Sequence, residues 1–415
     1  RVTSGVPFST NDSSPNSPIW TDIQGKIQAL VEADFISSDQ AQEYIAQAQE
    51  ILAGEVMSSY QEILAWLEQD RAFASEMSRG VWALPDGGNY YNYRLAQMTT
   101  LAFTADEIHE IGLAEVERLH RLMEEIKNAV NFEGSLQDFF VFMREDDRFY
   151  FPNTDEGRQD YLDLNNVYID AITLKLPDYF GRLPKAQLEV RRVESFREQA
   201  GAAQHYAAGT PDGSRPGVFY SHMSDMSTLP IFQLEDVAYH EGSPGHHMQI
   251  SIQQELTGVP RFRTQYRTTA YTEGWGLYAE WLAKEMGAFE DPYSDFGRLS
   301  GELWRAIRLV VDTGIHARQW SEERAVQYFI DNSAQAQGAI RSEIQRYITG
   351  PGQATAYKIG MMKFQELRVN AELALGNNFD IRTFHDVVLG AGALPMPLLE
   401  SRVDRWIEEA QSGLN

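Results

Sequence analysis

The stretch Tyr239-His-Glu-Gly-Ser-Pro-Gly-His-His-Met-Gln249 gathers three of the nine histidines and one glutamate around a Pro-Gly break. A His-Glu pair followed closely by another His is how a helix offers two imidazoles to a zinc ion and a carboxylate to the attacking water. In the common spacing the histidines lie at i and i+4 on one helical face. Here His240 is followed by His246 and His247. On an unbroken helix the first points to another side and the second lies roughly 10 Å along the axis. Neither shares an ion with His240 without a distortion, and Pro244 supplies one, because it returns no N–H to His240 and its ring clashes there. Gly242 and Gly245 permit irregular backbone around it. The expectation is a bulged metal helix with His240 and either His246 or His247 as ligands.

The rest of the chain is read against this stretch. The sequence has 415 residues and no cysteine, so a metal must be held by His and carboxylates, and disulfides are excluded. A formal charge of −25 disfavours nucleic acid and anionic membrane as partners. No apolar run reaches the length of a membrane span. The chain opens with Arg1 and a Ser/Pro/Asn-rich stretch, read as an irregular segment over 1–19 of a processed or truncated product, followed by one helical domain over 20–415.

Helical periodicity dominates. Helices are expected over Ser38–Ala53, with Ser38 as cap and Gly54 as stop, over Met57–Ala72, and over Ala105–Val130 behind the capping box Thr104–Glu107. Others follow over Ser135–Arg144, Asp155–Pro177, from Thr272, over Phe296–Thr313, Ser321–Asp331, Ser342–Ile348, Ala354–Leu375 and Pro397–Ala410. Leu188–Val193 and Gly217–His222 read as strands. The fold class is mainly α, a large helical fold with a small β-sheet beside the metal helix, whose edge offers an extended peptide a place to add as a strand.

A hydrolytic zinc site takes three protein ligands and keeps one position open. With His240 and His246 as two, Glu273 on the helix beginning near Thr272 is the candidate third. Glu280, seven residues on, is placed to bond a ligand imidazole from behind. Glu241 is the candidate general base. Tyr357 is the candidate electrophile for the oxyanion, with His222 or His316 as substitutes. His109, His120, His205 and His385 read as surface, capping or packing residues. A helical oxidase with two metals, drawing on Asp106, His109, Glu273 and Glu280, wants paired Glu-x-x-His motifs, and only Asp106 with His109 approaches one.

The segments Asn89–Leu119, His240–Gln249, Thr272–Glu280, Asp312–Trp320, Pro351–Arg368 and Phe384–Pro395 resemble the bacterial domain-of-unknown-function family 885. That resemblance implies a longer N-terminus in the full-length protein and a periplasmic or lipoprotein-anchored location rather than a cytoplasmic one. More distantly, the same segments are similar to helical zinc peptidases of the oligopeptidase and carboxypeptidase-Taq type. This implies a large helical metallopeptidase-like fold with one Zn2+, favours His246 over His247, places Glu273 on the third ligand and Tyr357 in an oxyanion-binding tyrosine loop, and points to short or unfolded peptides as substrate. The departure is two extra residues between the histidines. The alternative is a non-catalytic binding or scaffold protein that keeps a degenerate site.

Overall fold

The computed structural model describes residues 18–74, 77–195, 197–198 and 202–413, which divide into two compact units at Met77/Ser78. The first holds α1 (Pro18–Glu32), α2 (Ser38–Ile51) and α3 (Met57–Arg71). Trp20 and Leu52 form its small core, with Ile23, Ile45 and Val56 against them. The cap of α2 is Ser37, one residue before the expected Ser38, in a capping box with Gln40. Gly54 does not stop the helix. It lies inside a π-turn, Leu52–Val56, that carries α2 straight into α3. One glycine costs a helix only about 1 kcal/mol, and burial of Leu52 beside Trp20 offsets that.

The second unit begins with α4 (Gly87–Thr99), α5 (Ala105–Ala129), α6 (Leu136–Glu145), α7 (Asp155–Thr173) and α8 (Leu176–Tyr179). The strands β1 (Leu188–Arg192), β2 (His205–Ala207) and β3 (Gly217–Ser221) follow, then α9 (Leu234–Glu241), α10 (His246–Gln254), α11 (Thr269–Glu285) and α12 (Pro292–His316). The chain closes with α13 (Glu322–Asn332), α14 (Gln337–Thr349), α15 (Ala356–Leu375), α16 (Ile381–Leu389) and α17 (Met396–Ser412). The fold is mainly α. The capping box Thr104/Glu107 starts α5 as its sequence requires. The Thr272 helix begins earlier, at the cap Thr268.

Two apolar cores flank the site. One gathers residues of α10, α11, α15, α16 and α17 around Trp275, Tyr278 and Phe364. The other gathers α5, α6, α12, α13 and α14 around Phe139, Phe296 and Phe329. In the first, α11 and α15 touch backbone to backbone: a Cβ on Gly274 would lie 2.5 Å from the carbonyl carbon of Gly360. That contact brings the helix bearing Glu273 hard against the core. In the second, α12 is buried almost all round and carries charge inward, with Lys358 meeting Glu302 at 2.5 Å and Glu115 at 2.9 Å.

The sheet has the order β1-β3-β2, with β1 parallel and β2 antiparallel to β3. In the sequence β1 and β3 show themselves by alternation or β-branched and aromatic content. The three-residue β2 is too short to do so and exists through its pairing of His205, Tyr206 and Ala207 with Tyr220, Phe219 and Val218. Phe219 packs on Ile169 of α7 and Ala238 of α9, which seats the sheet on the first arm of the opening motif.

Candidate metal centre

The motif is two helices, not one bulged helix. α9 ends at Glu241, a cis Ser243–Pro244 bond follows, and α10 restarts at His246. Local bonds rebuild the turn: His247 N–H donates to the Gly242 carbonyl at 3.1 Å and Gln249 N–H to that of Gly245 at 3.1 Å. The indole of Trp275 on α11 donates to the Pro244 carbonyl at 2.9 Å, so the break is held from the core side. The extra residues let the second arm swing until the His240 and His246 rings stand edge to face, centroids 4.6 Å apart.

Three ligand atoms converge. Nε2 of His240 and Nε2 of His246 each lie 3.6 Å from the same oxygen of Glu273. At 3.6 Å neither contact is a hydrogen bond. Ligands of one tetrahedral zinc, each roughly 2.0–2.2 Å from the ion, stand roughly 3.3–3.5 Å from one another, so this spacing suits a shared cation. Glu241 also keeps a carboxylate oxygen within 4.8 Å of both imidazoles. Two carboxylates therefore compete for the third position. Glu273 has one oxygen equally close to both histidines, which makes it the better ligand and leaves Glu241 at the edge of the set. The donor set, two imidazoles and a carboxylate, fits zinc.

The charges are arranged accordingly. Burial opposes protonation of His240, but the carboxylates of Glu273 and Glu280 outweigh it and push its pKa up to about 10. Glu273 is also buried, yet His240 and His246 hold it well below the usual carboxylate range. Burial raises Glu241, against the opposing charges of His246 and His240. A raised carboxylate is the stronger base.

Behind His240 stands a carboxylate chain. Its Nδ1 lies 2.5 Å from Glu280, which holds a proton on Nδ1 and turns Nε2 toward Glu273. Beyond Glu280 lies Asp236, whose carboxyl is pushed well up by burial and by the Glu280 charge. Gly276 completes the mount: a Cβ there would lie 2.5 Å from Cε1 of His240, so only glycine leaves room for the ring. The sequence gives no sign of Asp236, and Gly276 passes for one of two glycines in a helix. Only the spacing of Glu280 from Glu273 is visible beforehand.

His247 faces the other way. Its Nδ1 lies 3.1 Å from the Tyr206 hydroxyl on β2, and burial lowers its pKa to about 4. The geometry thus divides the adjacent histidines, His246 toward Glu273 and His247 toward the sheet. His205, also on β2, stands close enough for its charge to act on Glu241. It stacks on Tyr220 at 5.4 Å and lies 5.6 Å from His222, ring to ring. The remaining candidates make other contacts. Tyr357 carries the Arg308 guanidinium 4.5 Å from its ring centre and accepts from Gln353 at 3.3 Å. His316 accepts from Val81 N–H at 3.1 Å, so its Nε2–H donates to the Tyr347 carbonyl at 3.0 Å, and both nitrogens serve the scaffold. Asp106 pairs with Arg318 at the surface while His109 is buried on Thr313, so the structure parts that pair.

No helix among the described residues is long and apolar enough to cross a membrane. No curated protein sequence matches the chain. Among solved structures, a "putative lipoprotein" from Colwellia psychrerythraea superposes with a TM-score of 0.90 at 36% identity, over 98% of this chain and 69% of that one. A "putative lipoprotein of unknown function" from Shewanella oneidensis shares the fold, with a TM-score of 0.65 at 18% identity over 92% of this chain and 69% of that one. The model of the bacterial proteins of unknown function DUF885 matches residues 4–403, and the chain belongs to that family.

Proposed function

We propose that the protein is a zinc-dependent hydrolase of peptide bonds, with His240, His246 and Glu273 as ligands. The observation that carries this reading is the convergence of two imidazole Nε2 atoms on one Glu273 oxygen at 3.6 Å, with Glu241 beside them. A zinc ion held there supplies Lewis acidity toward a carbonyl oxygen and lowers the pKa of water. Glu241 takes the proton of the attacking water and returns it to the leaving amine. Glu280, with Asp236 behind it, keeps the proton on His240 Nδ1. Edge strand β2, whose Tyr206 packs against His247 next to the ligand His246, supports an extended peptide as substrate. The lipoprotein naming of the two structural relatives supports a lipid-anchored or periplasmic location.

The test is elemental analysis of purified protein with peptide hydrolysis before and after chelation. One zinc per chain is expected, with activity lost on chelation and restored by zinc. Glu241→Gln should keep the metal and lose about 10²–10⁴-fold in kcat. Protein without stoichiometric metal, or hydrolysis indifferent to chelation, overturns the reading and leaves a binding or scaffold protein in its place.

A further inference from the structure

A second site lies at the far end of the chain. A pocket of about 640 Å³ opens between α16 and α17, with Arg402 and Arg405 on one side and Val387, Trp406 and Ala410 forming its apolar lining. Four arginines crowd this end of α16. Arg402 Nε donates to the Val387 carbonyl at 2.8 Å and Arg263 Nη2 to that of Ala391 at 2.6 Å. Arg182 takes Asp386 on its backbone N–H and brings Nη1 to 3.8 Å from where a Cβ on Gly390 would stand.

Part of this convergence is ordinary capping, since the carboxyl end of a helix attracts cations. That end is worth only about half a negative charge, too little for four guanidinium groups. Among the described residues none of the four has a carboxylate within ion-pair distance, although the chain carries 60 acidic against 35 basic residues. Arg263 Nε is buried without a partner. Burial holds Arg402 below the usual guanidinium range; Tyr271 opposes this, and the charges of Arg405, Arg263 and Arg182 add to it. Arg182 and Arg263 stand outside the pocket lining, which includes two carboxylates: Asp380 is taken by Arg382 at 3.2 Å, and Glu409 has no ion pair among the described residues.

We propose that this pocket is an anion site for a small phosphate-bearing ligand, its phosphate held by Arg402 and Arg405 and its organic part laid on Val387 and Trp406. Guanidinium groups suit phosphate through paired N–H donors. The strongly acidic remainder of the chain disfavours a long polyanion, which selects a single phosphate group. The site is independent of the metal centre.

The experiment is calorimetry and thermal unfolding of the intact protein in inorganic phosphate and in glycerol phosphate, against sodium chloride at matched ionic strength. Saturable binding with a raised unfolding midpoint is expected, at least tenfold weaker in Arg405→Gln, a variant that removes no described hydrogen bond. Sedimentation with phosphatidylglycerol but not phosphatidylcholine vesicles, suppressed by free phosphate, assigns the ligand to a lipid headgroup. Phosphate binding without vesicle binding assigns it to a free metabolite. The proposal is overturned if chloride matches phosphate and no vesicle binds, or if Arg405→Gln with Arg402→Gln leaves the response unchanged. Zinc content and hydrolysis should not change in Arg405→Gln.

Discussion

His240 and His246 contribute the same atom to the proposed centre but are mounted differently. His240 is fixed from behind, with Glu280 at 2.5 Å from Nδ1, Asp236 behind Glu280 and the cleared face of Gly276 beside the ring. His246 has a buried Nδ1 with no partner, and its place is set by the backbone turn that follows Pro244. One ligand is oriented by charge and the other by chain geometry. The difference shows how a motif with two added residues still closes: the acid network anchors one arm, and the break brings the other to it.

The largest test of this contrast is at the adjacent histidines. His246→Ala should lose stoichiometric zinc, whereas His247→Ala should keep it, because His247 faces Tyr206. Elemental analysis of the two variants decides it, and the reverse pattern overturns the assignment. Glu280→Gln comes next, with zinc affinity weakened about 10–100-fold. Competition with a chromophoric chelator reads this out, and unchanged affinity would show that the charge behind His240 is not what orients it.

His385 offers a third kind of mount. Its Nδ1–H donates to the Tyr179 carbonyl at 2.7 Å, so Nε2 accepts from the Tyr278 hydroxyl at 2.9 Å, and burial lowers its pKa to about 3. The unfolded chain takes up this proton near pH 6.5 and the folded chain does not, so stability falls as the pH drops from there toward 3. Between pH 7 and pH 5 the loss should be about 2 kcal/mol. Denaturant unfolding at both pH values should show a pH-dependent loss smaller by about this amount in His385→Gln than in the native protein, since His247 titrates alike in both. The smallest effect expected is that of Tyr206→Phe, which removes one hydrogen bond to His247 and should cost about 1 kcal/mol in the same assay while zinc content stays the same.

Much of the helical frame was legible because apolar periodicity and caps are local properties. Thr104 with Glu107 names the start of α5, and α17 and α15 follow their patterns closely. Errors arose where a tertiary contact overrides a local signal, as at Gly54, or where the element is too short to carry one, as at β2. The candidate metal centre divides in the same way. His240, Glu241, Glu273 and Glu280 are visible as residue types at spacings that one helix face permits. The roles read for Tyr357 and His316 rested on order along the chain; Tyr357 lies against Arg308 and Gln353, whereas His316 spends both ring nitrogens on backbone groups.

What the sequence by itself determined was the helical class, the acidic character and a set of histidines and carboxylates able to hold one cation. The tertiary structure alone decided which histidine turns toward Glu273, that Asp236 stands behind Glu280, and that Gly276 clears the space for the His240 ring. The physical reason is that residue type and period are written along the chain, whereas the direction of a side chain after a broken helix is set by what packs against it. Here Trp275 on the Pro244 carbonyl and Tyr206 on His247 set that direction, from opposite ends of the motif.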